Sequence, residues 1–263
     1  MNLKNILIVY TIPRTKEQKL ALDSVKRILE KYKIVYSLAN RDKLSKSRFI
    51  GRDFVIVVGG DGTFLRAAQF AGNHLMLGIN SDVMHKEGFF MKCSKDDFEN
   101  KLKKIIKSEY KIKKLPRLEA FINGKRIGAL ALNEFFIGAR KSYQSAKYVI
   151  RIGDKKERQK SSGVLAATPA GTNSWAKSCC GKTLPKDSKD YLFVVREPYE
   201  GRVFKNYRLK YSIIKKGQKI DVFSEMLDGI LVADSVGSEY SIKYGDKATI
   251  KMSDKHLNII WEI

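Results

Sequence analysis

The chain has 263 residues, 43% of them hydrophobic, and a formal net charge of +23 from 51 Lys and Arg against 28 Asp and Glu. That length suits two modest domains or one large one, with enough apolar residues for a real core. No stretch approaches the roughly 18–20 uncharged apolar residues of a membrane span. The segment 1–10 has only the short apolar run Ile6 to Val9, without the apolar region and cleavage site of a signal peptide, so a cytoplasmic protein is expected. Cys93, Cys179 and Cys180 make neither a disulfide framework nor a zinc site, and His74, His85 and His256 share no ligand spacing. No protein metal ligand is therefore nominated. The charge itself has three readings: a solvated lysine surface, attraction of anionic small molecules, or nucleic-acid binding. The lysines are dispersed, densest from Lys101 to Lys114, and form no stripe interleaved with aromatics, so nucleic acid is not the expected partner.

The first hundred residues alternate strand and helix. Asn5 to Tyr10 reads as a strand. Thr15 to Tyr32 reads as a helix with Leu20, Leu22, Val25, Ile28 and Leu29 on its apolar face. Ile34 to Leu38 and Phe54 to Val58 are strands, Thr63 to Gly72 a short helix, and Leu75 to Ile79 a further strand. Lys95 to Ile106 is a Lys-rich helix with Phe98, Leu102, Ile105 and Ile106 inward. This alternation implies a parallel, doubly wound sheet, which binds ligands at the carboxyl ends of its strands.

The pattern changes after Ser108. Lys111 to Pro116 reads as a basic linker. Leu118 to Ile122 and Ile127 to Phe136 flank Asn123-Gly124, a hairpin signal. Short strands follow at Ala146 to Ile152, Gly163 to Thr168, Tyr191 to Val195, Tyr207 to Ile214, Lys219 to Phe223 and Ile230 to Asp234. The chain ends with Tyr240 to Lys243, Ala248 to Met252 and His256 to Trp261. The expected architecture is an α/β domain at 1–110 and a largely antiparallel, β-rich, sandwich-like domain at 111–263, with the last strands packing back on the first domain.

Four constellations carry chemistry. The first, Gly59-Gly60-Asp61-Gly62-Thr63, follows an apolar strand and opens a helix, with Thr63 as a candidate cap. Its backbone is bare enough for phosphates to meet the helix-start N–H groups. A carboxylate there repels a phosphate ligand, so Asp61 needs a reason: proton abstraction from a hydroxyl, a metal, or a local cap. The second, Gly78-Ile79-Asn80, ends a strand at the same sheet edge, where Asn80 meets a ligand or starts a turn. The third, Asn133-Glu134, puts an amide and a carboxylate in an apolar strand, where a structural hydrogen bond or a polar ligand must satisfy them. The fourth, Thr168 to Trp175, is a strand, a small-residue turn and a helix start. Thr172, Asn173 and Ser174 offer polar groups there and Trp175 a stacking face, as suits a nucleoside; taken alone, the segment is better read as an ordinary N-cap with Trp175 in the core.

In that order and spacing the four motifs resemble those of the NAD kinase family, over about residues 5 to 260. The first motif alone is shared with diacylglycerol, sphingosine and phosphofructokinase-type kinases; the later ones select NAD kinase. The resemblance implies an N-terminal α/β domain, a C-terminal β-rich domain and an active site between them. It implies phosphoryl transfer from ATP, or another donor such as polyphosphate, to the adenosine-ribose 2′-hydroxyl of NAD or NADH. A divalent cation, Mg²⁺ in the first instance, accompanies the donor phosphates, and the assembly is a homodimer or homotetramer. By position, Asp61 matches the proton acceptor. Gly59, Gly60, Gly62 and Thr63 match the phosphate-binding turn, and Gly62 also a substrate contact. Arg66 is a candidate phosphate partner. Asn80, Asn133, Glu134, Ser162, Ala170, Asn173, Ser174, Trp175 and Ser178 match dinucleotide contacts, with Trp175 in place of a tyrosine.

The chain departs from the family pattern at four places. The turn reads Ala170-Gly171-Thr172-Asn173. The segment after Asn80 is longer. Ser162-Gly163 stands where most bacterial members have Asp-Gly, so a carboxylate is missing. Asp234-Ser235 stands for a late Asp-Gly. Two rival readings remain open: a lipid kinase of the diacylglycerol or sphingosine type, and a non-catalytic basic protein that binds nucleotides or RNA.

Overall fold

The computed structural model describes residues 3–263. The chain divides into two compact units: one runs to Leu115 and takes up Leu257–Ile263, and the other is Pro116–His256.

The first unit contains β1 (Asn5–Tyr10), α1 (Lys16–Lys31), β2 (Val35–Asn40), β3 (Phe54–Gly59), α2 (Asp61–Ala68), β4 (Met76–Asn80), β5 (Met91–Ser94) and α3 (Phe98–Ile106). The strands pair in parallel in the order β2-β1-β3-β4-β5. Residues of β3 and β4 are buried throughout, which is why they read as unbroken apolar runs. On one face Ile6, Ile8, Ile56, Val58, Leu77 and Ile79 meet the apolar stripes of α1 and α3. Thr15 caps α1 by accepting the Gln18 N–H at 3.3 Å. The buried face of α1 is Ala21, Leu22, Val25, Ile28 and Leu29; Leu20, expected inward, is 48% exposed. α3 buries Phe98, Leu102 and Ile105, whereas Ile106 is exposed. α2 starts two residues earlier than expected: Gly60 is its N-cap, and Thr63 lies inside the first turn rather than capping it.

β6 (Lys111–Ile122) begins where a linker was expected. Lys111 Nζ pairs with Glu262 at 2.7 Å and Lys113 Nζ lies 5.0 Å from the Trp261 ring centre, so the lysines that suggested a tether have partners at the far end of the sequence. β6 turns into β7 (Lys125–Ala131) at Asn123-Gly124, whose φ values of 51° and 82° suit a type I′ hairpin. The single strand expected from Ile127 to Phe136 is broken at Leu132-Asn133; β8 (Glu134–Ala139) belongs to a different sheet from β7.

The remaining elements are β9 (Ala146–Ile152), β10 (Lys155–Ser161), β11 (Gly163–Ala167), α4 (Trp175–Cys180), β12 (Tyr191–Arg196), β13 (Tyr211–Ile214), β14 (Lys219–Ser224), β15 (Gly229–Ala233), β16 (Glu239–Ile242) and β17 (Lys247–Glu262). In the second unit β10-β9-β14-β17 form one antiparallel array, and β13-β12-β11-β8-β15-β16 a six-stranded antiparallel sheet. Alternate residues of both contribute to one core, among them Phe135, Ile137, Tyr148, Ile150, Phe193, Val222, Leu231 and Ile250. This is the β-rich sandwich expected. Leu165, Ala167, Leu192 and Val194 point to the other face of the six-stranded sheet, where Ala176 and Trp175 of α4 cover them. The two final strands expected from sequence are one strand, β17, and from Leu257 onward it belongs to the first unit, where Ile259 pairs with Met76. Among the described residues no helix is long and apolar enough to cross a membrane.

Candidate active site

In the first unit, the carboxyl end of β3 delivers Gly59-Gly60-Asp61-Gly62-Thr63 into the first turn of α2. Both oxygens of Asp61 accept backbone N–H groups, from Phe89 at 3.0 Å and Phe90 at 2.9 Å. The carboxylate is thus fixed in place by the segment that follows β4. Gly59 and Gly60 have packing reasons of their own, whereas Gly62 has room for a Cβ. A Cβ on Gly59 would stand 2.6 Å from Thr63 Oγ1, one on Gly60 3.0 Å from Lys86 Cδ, and one on Gly62 3.7 Å from Arg41 Nη1.

The segment after β4 is organised by its own polar groups. Asn80 Oδ1 accepts the Asp82 N–H at 3.0 Å and its Nδ2 donates to the Lys86 carbonyl at 3.1 Å, so both ends of this amide serve the loop. Lys86 Nζ donates to Ser81 Oγ at 2.8 Å. Burial pushes the Lys86 ammonium below its ordinary value, with Asp82 opposing and Arg41 adding to the shift. His85 Nδ1 lies 2.9 Å from Asp82 Oδ1, and that contact holds the Asp82 carboxyl below the usual carboxylate range. Arg66 is half-buried with its guanidinium 5.6 Å from the Phe70 ring centre.

In the second unit, Asn133 and Glu134 are buried at the break between β7 and β8. Asp234, at φ 57°, holds this break: its Oδ1 accepts N–H groups from Leu132 at 2.8 Å, Asn133 at 2.6 Å and Glu134 at 3.3 Å. Thr168 closes the other side, with its N–H donating to the Asn133 carbonyl at 2.8 Å and its hydroxyl to the Leu132 carbonyl at 2.6 Å. A Cβ on Gly171 would stand 2.0 Å from the Asn133 carbonyl oxygen. The Asn133-Glu134 pair and the Thr168 turn, far apart in sequence, are therefore one structure.

This structure carries unmet polar atoms. Asn133 Oδ1, Glu134 Oε2 and Arg117 Nε are buried without a hydrogen-bond partner, which is costly unless a ligand meets them. Burial, and then the neighbouring Asp234 carboxylate, push the Glu134 carboxyl up to about 8. Burial pushes Asp234 up to about 6 against its three backbone N–H donors and Arg117. At neutral pH the pair therefore keeps a proton on Glu134, which makes it a hydrogen-bond donor. Arg117 is lowered to about 10 by its own burial and donates to the Leu130 carbonyl at 2.7 Å.

The other candidates sit around the same turn. Ala170 is buried, whereas Asn173 and Ser174, just before α4, and Ser178, within it, are exposed. Asn173 Nδ2 donates to the Pro169 carbonyl at 3.3 Å. Thr172, which sequence offered as a ligand hydroxyl, is structural: it is buried, donates to the Pro169 carbonyl at 2.8 Å and accepts the Leu184 N–H at 3.0 Å. The half-buried Trp175 ring stacks on Phe136 with centres 5.2 Å apart, and the Arg196 guanidinium lies 4.4 Å from its centre. Ser162 Oγ hydrogen-bonds Glu197, so a carboxylate from the residue after β12 stands beside the position where sequence lacks one. Ser162, Glu197, Tyr143 and Gln144 line a cavity of about 380 Å³.

Sequence reasoning missed Lys86, Arg41, Arg196 and Glu197, and saw Asp234 only as a departure. Lys86 lies in the lengthened segment, a usable signal; Arg41 has none. Among the described residues no group of three or more His, Cys, Asp or Glu could hold a metal ion.

Residues 7–110 match the family described as ATP-NAD kinase N-terminal domain. The "NAD kinase" of Thermoplasma volcanium is 30% identical over 212 residues, covering 80% of this chain and 74% of that protein. The "Probable NADH kinase" of rice is 26% identical over 277 residues, covering 95% and 83%. The crystal structure of an NAD kinase from Archaeoglobus fulgidus in complex with ATP superposes with a TM-score of 0.78 at 22% identity, covering 98% of this chain and 94% of that one, which shows a common fold. With an extended relative at this identity, a matching N-terminal domain and the four motifs in order, the chain belongs to the NAD kinase family.

Proposed function

We propose that this chain is a kinase that transfers the γ-phosphoryl group of ATP to the 2′-hydroxyl of the adenosine ribose of NAD or NADH. The observation that carries the reading is Asp61: an ionisable carboxylate on a glycine turn at a helix start, aimed by two backbone N–H donors. Such catalysis rests on positioning and charge stabilisation more than on covalent chemistry. The ribose 2′-oxygen attacks the γ-phosphorus and forms the new O–P bond. The bond from the γ-phosphorus to the β,γ-bridging oxygen breaks, and ADP leaves with that electron pair. The hydroxyl proton passes to Asp61. The N–H groups of Asp61 and Gly62, which have no intrahelical acceptor at the first positions of α2, receive phosphate oxygens. Arg66 is a further candidate for a phosphate group.

Asn133, Glu134, Ala170, Asn173, Ser174, Trp175, Ser178 and Ser162 form the dinucleotide half of the reading. The unmet Asn133 Oδ1 and the protonated Glu134 offer one acceptor and one donor. Asn80 serves by shaping the loop that pins Asp61. Mg²⁺ bound to the donor phosphates supplies charge neutralisation. The cation is read as one carried by the nucleotide, as Mg²⁺ commonly is. A homodimer or homotetramer in the cytoplasm completes the reading, and light scattering of the purified protein tests the assembly.

The direct test is incubation with ATP, Mg²⁺ and NAD, with NADP as the readout; NADH and inorganic polyphosphate replace acceptor and donor in turn. Folded protein that binds NAD yet makes neither NADP nor NADPH overturns the proposal. A lipid kinase leaves the buried Asn133 and Glu134 atoms unexplained, and phosphorylation of diacylglycerol or sphingosine in the same assay would favour it.

A further inference from the structure

The lengthened segment after β4 does more than hold Asp61. It folds back so that the aliphatic stem of Lys86 lies on the Gly60 backbone, with Cδ 3.0 Å from where a Cβ would be. The ammonium at the end of that stem is held by Ser81 Oγ at 2.8 Å. The Lys86 carbonyl is held from below by Asn80 Nδ2 at 3.1 Å, and its N–H donates to the Asp82 carbonyl at 3.1 Å. A flexible side chain is thus fixed at both its root and its tip. On the neighbouring glycine, Arg41 places Nη1 3.7 Å from the Gly62 Cβ position. The Lys86 stem thus packs on Gly60, where a Cβ would crowd it, and an Arg41 nitrogen lies at ordinary contact distance from Gly62.

Two positive side chains beside the positive end of a helix repel one another and the helix dipole. Each has a carboxylate nearby: Arg41 Nε meets Asp42 at 3.3 Å, and Asp82, which also lies 2.9 Å from His85 Nδ1, favours the Lys86 ammonium. Asp61 has both oxygens on backbone N–H groups. Two cationic side chains close to a helix start suit an anion that carries several charges.

We propose that Lys86, steered by Ser81 and seconded by Arg41, contacts the β- and γ-phosphates of the donor and stabilises the charge on the phosphoryl group as it transfers. The proposal rests on the kinase reading above. Lys86 holds the γ-phosphate oxygens while the bond to the bridging oxygen breaks, and Arg41 faces the departing diphosphate. Lys86 takes no proton; that passes to Asp61. A compact ammonium on a pinned stem suits the moving group, and the forked guanidinium suits the two phosphates left behind.

The test compares wild type with K86M, K86R and S81A. Steady-state kinetics are measured with ATP, Mg²⁺ and NAD, and calorimetry measures ADP and a non-hydrolysable ATP analogue. K86M is expected to lose about 100-fold in kcat with the KM for NAD within twofold. Its preference for the triphosphate analogue over ADP should collapse towards one. K86R should recover most of that preference, and S81A should lose about three- to tenfold in kcat. A folded K86M within threefold of wild-type kcat, or one that keeps its triphosphate preference, overturns the proposal. So does a K86M whose only change is a raised KM for NAD. If K86M fails to fold, S81A decides: wild-type kcat and triphosphate preference in it overturn the proposal, and a loss in S81A restored by neither nucleotide nor salt supports it. If wild type itself makes no NADP or NADPH, the kinase reading fails, and the Lys86 assignment with it; an active wild type with an indifferent Lys86 sinks the assignment alone.

Discussion

Asp61 and Glu134 are both carboxyl groups at strand ends, yet their surroundings assign them opposite tasks. Asp61 is presented by backbone N–H groups and suits a proton acceptor. On the kinase reading, D61N should keep the fold and NAD affinity while kcat falls by about 10²–10⁴, the usual reach of a general base. Unchanged Tm and NAD binding with lost turnover would be the signature; near-normal turnover would remove Asp61 from the chemistry. Glu134 is buried and holds its proton up to about 8, against an ordinary 4.5. A carboxyl whose folded value is raised adds stability that is complete below the unfolded value and is lost as pH rises through the folded one. Wild-type Tm should therefore carry a downward component between about pH 4.5 and 8. E134Q, which cannot ionise, should flatten it. A variant with the same Tm-against-pH slope as wild type would count against a protonated Glu134.

At the scale of elements, the decisive piece is a tight turn that fails without glycine. Gly171 packs so close to the Asn133 carbonyl that a methyl group there would stand 2.0 Å from the oxygen. G171A should lower stability by about 3 kcal/mol, the upper range for overpacking, and weaken NAD binding together with it. Thermal melts and calorimetry on one sample would check both; a Tm within 1–2 °C of wild type, on the order expected for a neutral change, would contradict the packing argument. What was legible in sequence follows the same physics. β3 and β4 were readable because strands covered on both faces must be apolar throughout. β10, with the sequence KKERQKS, was not, because its polar side chains find distant partners. Arg158 meets Glu225, and buried Gln159 meets Tyr148 and the Leu209 carbonyl. The break at Leu132-Asn133 was equally hidden: it exists because Asp234, a hundred residues later, accepts its N–H groups. The candidate site was legible where chemistry sat within one turn, as at Gly59 to Thr63. It was illegible where a side chain such as Arg41 or Glu197 arrives from another element.

For the molecule as a whole, the +23 charge bears on encounter with substrate. ATP and NAD are both anions, and a broadly positive surface raises their local concentration until salt screens it. Raising ionic strength from about 20 to about 300 mM should increase the KM for ATP severalfold while kcat changes little. A salt-independent KM would assign the lysines to solubility alone. On the kinase reading the cation arrives with the donor phosphates, so removing divalent cations with a chelator should abolish turnover and leave Tm unchanged. A fall in Tm on chelation would instead reveal a structural metal.

The double anchoring of Asp61 also bears on which hydroxyl is chosen. A carboxylate has about four lone-pair sites, and Phe89 and Phe90 occupy two of them. On the kinase reading the base therefore listens in a narrow arc, and it cannot swing to follow a substrate bound askew. A ribose offers neighbouring hydroxyls of similar acidity, so chemistry alone would blur the product. On the kinase reading, regiochemistry is written into two main-chain N–H groups, and no substitution at 89 or 90 other than proline erases it so long as the loop keeps its path.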